Sequence, residues 1–289
     1  EAEVCDGFDN NCNDTIDEGN PGGGRACHVA GQMGACADGL TSCRQGEFSC
    51  MQLTNPEEET CNQIDDDCDG AVDENRVCEP CEEGYTLIDY INLCVKTTEV
   101  TVVEYGECAS CTPPVTMYAD NNRCNGGAPG RENHPINCVS WAQADAYCRD
   151  SGGQLPTLEQ MDQITYGPPE NLRRFPWGDE AQIDCAHVIF NEQAGGETGG
   201  CGANTTASVC SRLQGNTRED VCDLLGNIRE FVRDECPNNG HLSTGCSFLS
   251  GQVECGRANR QQHTPCEAPA RAAIVHGIRC VMQAREIIR

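Results

Sequence analysis

The sequence predicts a disulfide-rich chain that opens with two small, cysteine-clasped acidic loops and continues into a larger region of short helices and strands. Three observations carry this prediction. The 289 residues include 25 cysteines. The chain matches itself at a shift of 56 residues across an acidic motif. Beyond residue 96, an extended stretch and an amphipathic helix follow one another between turn-forming segments.

The cysteines set the compartment. Cytosolic metal clusters need tight, regular Cys-x-x-Cys spacing, and here the spacing is mostly irregular and spread over the whole length. Disulfides in an oxidising compartment are the expected state. The odd count leaves at least one thiol free, modified or bonded to another chain. A first residue of Glu1 rather than Met is consistent with a removed leader, so a secreted protein is expected. No run approaches the roughly 18 apolar residues of a spanning helix. The most apolar late stretch, Ile274 to Met282, is interrupted by His276 and Arg279.

The net charge of −27 argues against a nucleic-acid partner, because phosphate binding relies on Lys and Arg. Its placement argues for cations. Residues 1–83 hold 21 Asp and Glu against Arg25, Arg44 and Arg76, with no Lys. Such a density repels itself unless positive ions neutralise it.

The repeat shows where those ions would sit. Glu3-Val4-Cys5-Asp6 aligns with Glu59-Thr60-Cys61-Asn62, Asp9 to Asn13 with Asp65 to Asp69, and Ile16-Asp17-Glu18 with Val72-Asp73-Glu74. The second copy reads Asp65-x-Asp67-x-Asp69-Gly70-x-x-Asp73-Glu74, the oxygen spacing of an EF-hand-like loop. Calcium takes roughly six to eight hard oxygens at flexible geometry, which alternate residues of a tight turn can aim at one centre. Glycine supplies the positive φ of that turn. The backbone carbonyls of Thr15 and Ala71 are candidate extra ligands. The first copy offers Asp9, Asn11, Asn13, Asp17 and Glu18, with Asp14 at the glycine position and fewer charges, so weaker binding is expected. The flanks lack the long helices of an EF-hand. The cysteines are therefore expected to clasp the loops, most economically as Cys5 with Cys12 and Cys61 with Cys68, although spacing leaves connectivity open. Between the loops, the glycines and cysteines from Gly34 to Cys50 predict a small stapled hairpin.

The Glu-x-Cys-Asp-Gly-x-Asp-Asn-x-Cys-Asn…Ile-Asp-Glu string resembles the metal-binding repeats of surface and secreted proteins from myxobacteria and related bacteria. These are often catalogued with the methanotroph surface copper-binding protein MopE. The resemblance covers about residues 3–75 and implies a bacterial cell surface. Copper is not expected, because oxygen-only ligands suit calcium far better by their hardness.

Residues 78–95 form a cysteine-pinned connector in which Cys78-x-x-Cys81 could be a redox pair or half a zinc site, with structural disulfides as the default. After it, Thr98 to Tyr105 read as a short strand entering a helix. His134 to Trp141 precede a helix over 142–150 with Trp141, Ala144 and Cys148 on one face. Then come Leu155-Pro156-Thr157, Phe175-Pro176-Trp177-Gly178-Asp179, Asp223 to Phe231, Gly245-Cys246-Ser247-Phe248 and Gly277-Ile278-Arg279-Cys280. In this order they resemble the formylglycine-generating enzyme (sulfatase-modifying factor) family over about residues 96–283.

That resemblance implies an α+β, C-type-lectin-like fold with little regular secondary structure, and a bridge between Cys148 and Cys280. It implies a calcium site at Asp223, Asn227 and Glu230 with the Leu225 carbonyl. It places two copper(I)-binding cysteines at positions held here by Ser250 and Cys255, and a hydroxyl is a poor ligand for a soft ion. Cys246 is a candidate substitute but lies four residues early. The Gly-Asn-x-Trp-Glu-Trp string of the family is Gly226-Asn227-Ile228-Arg229-Glu230-Phe231, with both tryptophans lost.

The expected organisation is therefore calcium repeats over 1–77, a connector over 78–95, and a formylglycine-generating-enzyme-like domain over 96–289. The expected role is a non-catalytic extracellular binding or structural protein that self-assembles or meets a protein or glycan ligand. A copper-dependent oxidase acting on sulfatase cysteines and a carbohydrate-binding module are the alternatives. The sequons at Asn13 and Asn204 matter only in a host that glycosylates them.

Overall fold

A computed structural model describes residues 2–114, 123–179, 182–192, 199–236, 240–255, 266–267 and 272–286. The chain forms two compact units. One comprises Glu1–Pro80 with Arg285–Arg289, and the other Cys81–Ala284.

The smaller unit is built on three antiparallel strands, β1 (Ala26–His28), β2 (Asp38–Arg44) and β3 (Glu47–Gln52), in spatial order β1-β2-β3. The tight turn Gln45-Gly46 closes β2 on β3, and both residues sit at positive φ. In residues 2–80 the buried hydrophobic side chains are Cys36, Ala37 and Cys43, while Val4, Phe8, Ile16, Ile64 and Val72 are exposed. A unit with no aliphatic core must be held by covalent and polar links.

Those links run between elements, and this corrects the expected clasps. Cys5 bonds Cys43 on β2, Cys36 bonds Cys68, and Cys61 bonds Cys78. Cys27 joins Cys50 across the sheet. Neither Cys5–Cys12 nor Cys61–Cys68 forms. The reason is that each acidic loop docks on the hairpin. Asp17 accepts the Gly46 amide at 2.7 Å, seating the first loop at the hairpin tip. The Ala35 amide donates to the Asp65 carbonyl at 2.9 Å, seating the second loop at the hairpin base.

The twelve disulfides take 24 of the 25 cysteines, and the one remaining thiol is Cys12, which is exposed. Alkylation of the unreduced, denatured protein is therefore expected to label Cys12 alone, read by peptide mass mapping. A second labelled cysteine in the described residues would break the disulfide map.

The larger unit mixes short helices and strands. Strands β4 (Tyr85–Ile88) and β5 (Leu93–Lys96) belong to it and form a hairpin closed by Cys81–Cys94. Helices α1 (Val102–Glu107), α2 (Trp141–Asp150) and α3 (Leu158–Tyr166) follow. Each begins in a reciprocal capping box: Thr101 with Glu104, Ser140 with Gln143, and Thr157 with Gln160. Then come β6 (Arg229–Cys236), β7 (Gly240–Thr244), the short α4 (Gln252–Cys255), β8 (Cys266–Glu267), β9 (His276–Gly277) and β10 (Val281–Gln283). The sheets are ordered β10-β5-β4 and β8-β7-β6-β9, with β9 parallel to β6.

Helix α2 buries Ala144, Tyr147 and Cys148, the three- and four-residue spacing of one helix face. That face meets Val100, Ile136, Leu155, Phe231 and Ile278 in the main core. Cys148 and Cys280 are bonded, fastening α2 to the segment before β10. Cys78 and Cys81 belong to different bridges, so Cys78-x-x-Cys81 is neither a redox pair nor half a zinc site; the bridged Cys-x-x-Cys is Cys108–Cys111. No helix of the described residues is long and apolar enough to cross a membrane.

Candidate functional site

In the second acidic loop the chain turns around its own carboxylates. Asp67 accepts the Asp69 amide and Asp69 accepts the Ala71 amide, two Asx turns that curl the backbone. Gly70 takes φ +99°, and a side chain there would meet the Met33 sulfur at 2.8 Å. Asp65 is only 5% exposed, with one oxygen on the Gly70 amide at 3.0 Å and the other, Oδ1, without a partner. Oxygens of Asp65, Asp67 and Asp69 lie within 4.8 Å of one another. So do oxygens of Glu59, Asp67 and Glu74. Glu74 Oε2 is also buried and unpartnered.

The carboxyl of Glu74 is held down by its own backbone amide. Burial and the charges of Glu59, Asp67 and Asp69 outweigh this and push it above the ordinary carboxylate range. A buried carboxylate oxygen without a donor is costly unless a cation meets it. The donor set is all oxygen, which a hard divalent ion prefers.

Asp73 and Asp17 accept backbone amides. The Asp73 oxygens accept the Asn62 and Gln63 amides, and Asp17 accepts those of Asp6, Gly7 and Gly46. Both residues tie turns together and stand outside the oxygen clusters. Asp73 and Asp17 also each lie near two sulfurs, Cys61 and Cys78 or Cys5 and Cys43. Those sulfurs are spent in disulfides and offer no thiolate.

Sequence reading passed over Glu3 and Glu59 as site residues. Glu59 accepts the amides of Asp66, Asp67 and Asp73 between 2.6 and 2.9 Å, and Glu3 accepts those of Asn11 and Asp17. The signal was present, since the two glutamates align in the repeat.

The first loop has the same frame with less charge. Asp9 accepts the Asn13 and Asp14 amides. Asn11 and Asn13 donate their side-chain amides to Glu18. Burial presses the Glu18 carboxyl upward, but the donors Asn11 and Asn13 and its own backbone amide outweigh it and hold the group below its ordinary range. Asn11 Oδ1 and Glu18 Oε2 remain buried without partners.

In the larger unit, Asp223 and Glu230 lie near a buried arginine, and Asn227 joins them through Glu99. Arg279 is fully buried, donating to Glu230 and to the carbonyls of Lys96, Thr97 and Cys222. Asn227 accepts the Ala207 amide and donates to Glu99 at 2.7 Å, and Asp223 accepts the Cys210 amide. Leu225 packs in a core cluster with Phe175, Val188 and Phe190. The guanidinium thus stands beside Glu230 and Asp223, two of the expected calcium ligands, as a built-in counter-charge. Glu99, which no sequence signal marked, is pushed well above the ordinary range by burial and then by Asp223 and Glu230.

The two positions of the expected copper pair are also accounted for. Ser250 is buried and accepts the Ser247 amide. Cys255 is 2% exposed and bonded to Cys246.

The Sulfatase-modifying factor enzyme 1-like domain matches residues 71–284. The chain belongs to the sulfatase-modifying factor family. The formylglycine-generating enzyme of Mus musculus is 30% identical over 155 residues, covering 47% of this chain and 41% of that enzyme. That of Thermomonospora curvata is 26% identical over 176 residues, covering 52% and 56%. The chain spans about half the length of these curated relatives. Among solved structures, CarF superposes with a TM-score of 0.48 at 16% identity, covering 66% of this chain and 86% of that one. PvdO from Pseudomonas aeruginosa gives 0.46 at 15%, covering 66% and 80%. Mixed short helices and sheets, little regular structure and many disulfides are the family fold as this chain realises it.

Proposed function

We propose that this sulfatase-modifying factor family member is a secreted, calcium-stabilised structural or binding protein of the bacterial cell surface that lacks the oxidase chemistry of its enzymatic relatives. The observation that carries this reading is the Cys246–Cys255 disulfide. Where the family resemblance places two copper(I) thiolates, this chain has a buried serine hydroxyl and a sulfur already oxidised. Neither supplies the soft, anionic donor copper(I) needs. Support for the calcium part comes from Asp65, which carries a buried, unpartnered oxygen and has a carboxylate oxygen within 4.8 Å of two further carboxylates, in a unit without an aliphatic core. An ion there would take the place of packing. On this reading the partners are surface proteins, glycans or further copies of the chain.

The test is to incubate the protein with a Cys-x-Pro-x-Arg peptide, copper, oxygen and a thiol reductant, and to follow the peptide by mass spectrometry. The peptide thiol is expected to survive unchanged. Conversion to the aldehyde, with loss of the sulfur mass, would establish the second reading, a formylglycine-generating oxidase, which family membership favours.

A further inference from the structure

We infer that the second acidic loop holds two divalent cations side by side, bridged by the Asp67 carboxylate. This rests on the reading of the acidic loops as cation sites and goes beyond it in number and ligand assignment.

The geometry divides the ligands into two groups. Asp65, Asp67 and Asp69 are mutually within 4.8 Å, and so are Glu59, Asp67 and Glu74. That span is about twice a calcium–oxygen distance, the largest separation two ligands of one ion can have. The two groups share only Asp67, so a single centre does not serve both as they are arranged.

Each group also contains an unsatisfied oxygen of its own. Asp65 Oδ1, on a residue only 5% exposed, belongs to the first, and Glu74 Oε2 to the second. Backbone donors fix the remaining members. Glu59 is held by three amides, and Asp67 and Asp69 each spend one oxygen on an Asx turn, leaving the other oxygen of each for a metal.

Charge points the same way. Five carboxylates around one dication leave three negative charges in a space a few ångströms across, whereas two dications leave one. Arg76, the nearest arginine in sequence, is paired with Glu79, outside both groups. The first loop is the internal contrast. Asn11 stands where the second loop has Asp67, and a neutral amide oxygen holds two dications less well than the charged Asp67 oxygen left free by the Asx turn.

The test is equilibrium dialysis of the intact, disulfide-bonded chain against radiolabelled calcium, counting ions bound per chain at saturation. Asp65→Asn and Glu74→Gln are each expected to lose one ion, the double variant two, and Asp67→Asn two. Peptide mapping that recovers Cys36–Cys68 and Cys61–Cys78 in every variant shows that the loop still folds. A double variant that loses only the single ion lost by either parent overturns the two-ion arrangement while leaving the loop a calcium site. A wild-type chain that binds no calcium overturns the calcium reading itself.

Discussion

Replacing Arg279 with Met is expected to destabilise the larger unit by about 3–5 kcal/mol, read as a lowered urea midpoint, because one partner of a buried ion pair is removed. Arg279 has no exposed surface and is the cation beside Glu230, Asp223 and Glu99. Methionine fills much of the volume but leaves these carboxylates buried without a positive neighbour, and three backbone carbonyls without their donor.

The deficit should depend on pH in a definite direction. Burial raises the carboxyls of Glu99, Asp223 and Glu230 in the folded state, and Arg279 opposes that rise. A group whose folded pKa is raised contributes stability that is present below its unfolded pKa and is lost as pH climbs through the folded one. Without Arg279 the folded values climb further, so the variant should be least impaired near pH 5 and most impaired near pH 8. An equal deficit at both would mean that the arginine acts through packing alone.

The second large effect is expected from the bridge between α2 and the segment before β10. Cys148 and Cys280 are 132 residues apart and both fully buried. Loop-closure entropy assigns such a bridge about 4–5 kcal/mol. Cys148→Ala with Cys280→Ala should lower the melting temperature of this unit by roughly 10–20 °C. The bridge Cys108–Cys111 spans three residues and serves as the control, since the same relation gives it about 2 kcal/mol. Equal losses from the two double variants would show that chain entropy is not what the long bridge supplies.

Much of the local structure was legible in the residues. The hairpin between the acidic loops, the helix beginning near Trp141 and the alignment of the two loops follow from spacing and turn chemistry, which act over a few residues. Glu59 shows the limit of that legibility. Its position recurred in the repeat, but its role is to bind amides of Asp66, Asp67 and Asp73 that only the folded loop brings to one point. Asp73 shows another side of it: its place in the motif suggested a ligand, and only the fold shows that its oxygens also accept the Asn62 and Gln63 amides.

The sequence by itself determined that this chain is stapled by disulfides, that its acidic charge is concentrated in a tandem loop, and that its larger part follows the sulfatase-modifying factor pattern. These properties are written in composition, period and motif order. Only the tertiary structure decided which cysteines meet. Cys5 passes over nearby Cys12 for Cys43 because the Asp17 carboxylate draws the first loop onto the hairpin tip. Cys255 is closed by Cys246, nine residues away, where the family pattern places a metal-binding thiol. The reason is physical: a disulfide or a cation cluster depends on distances across the fold, and sequence separation does not encode those distances.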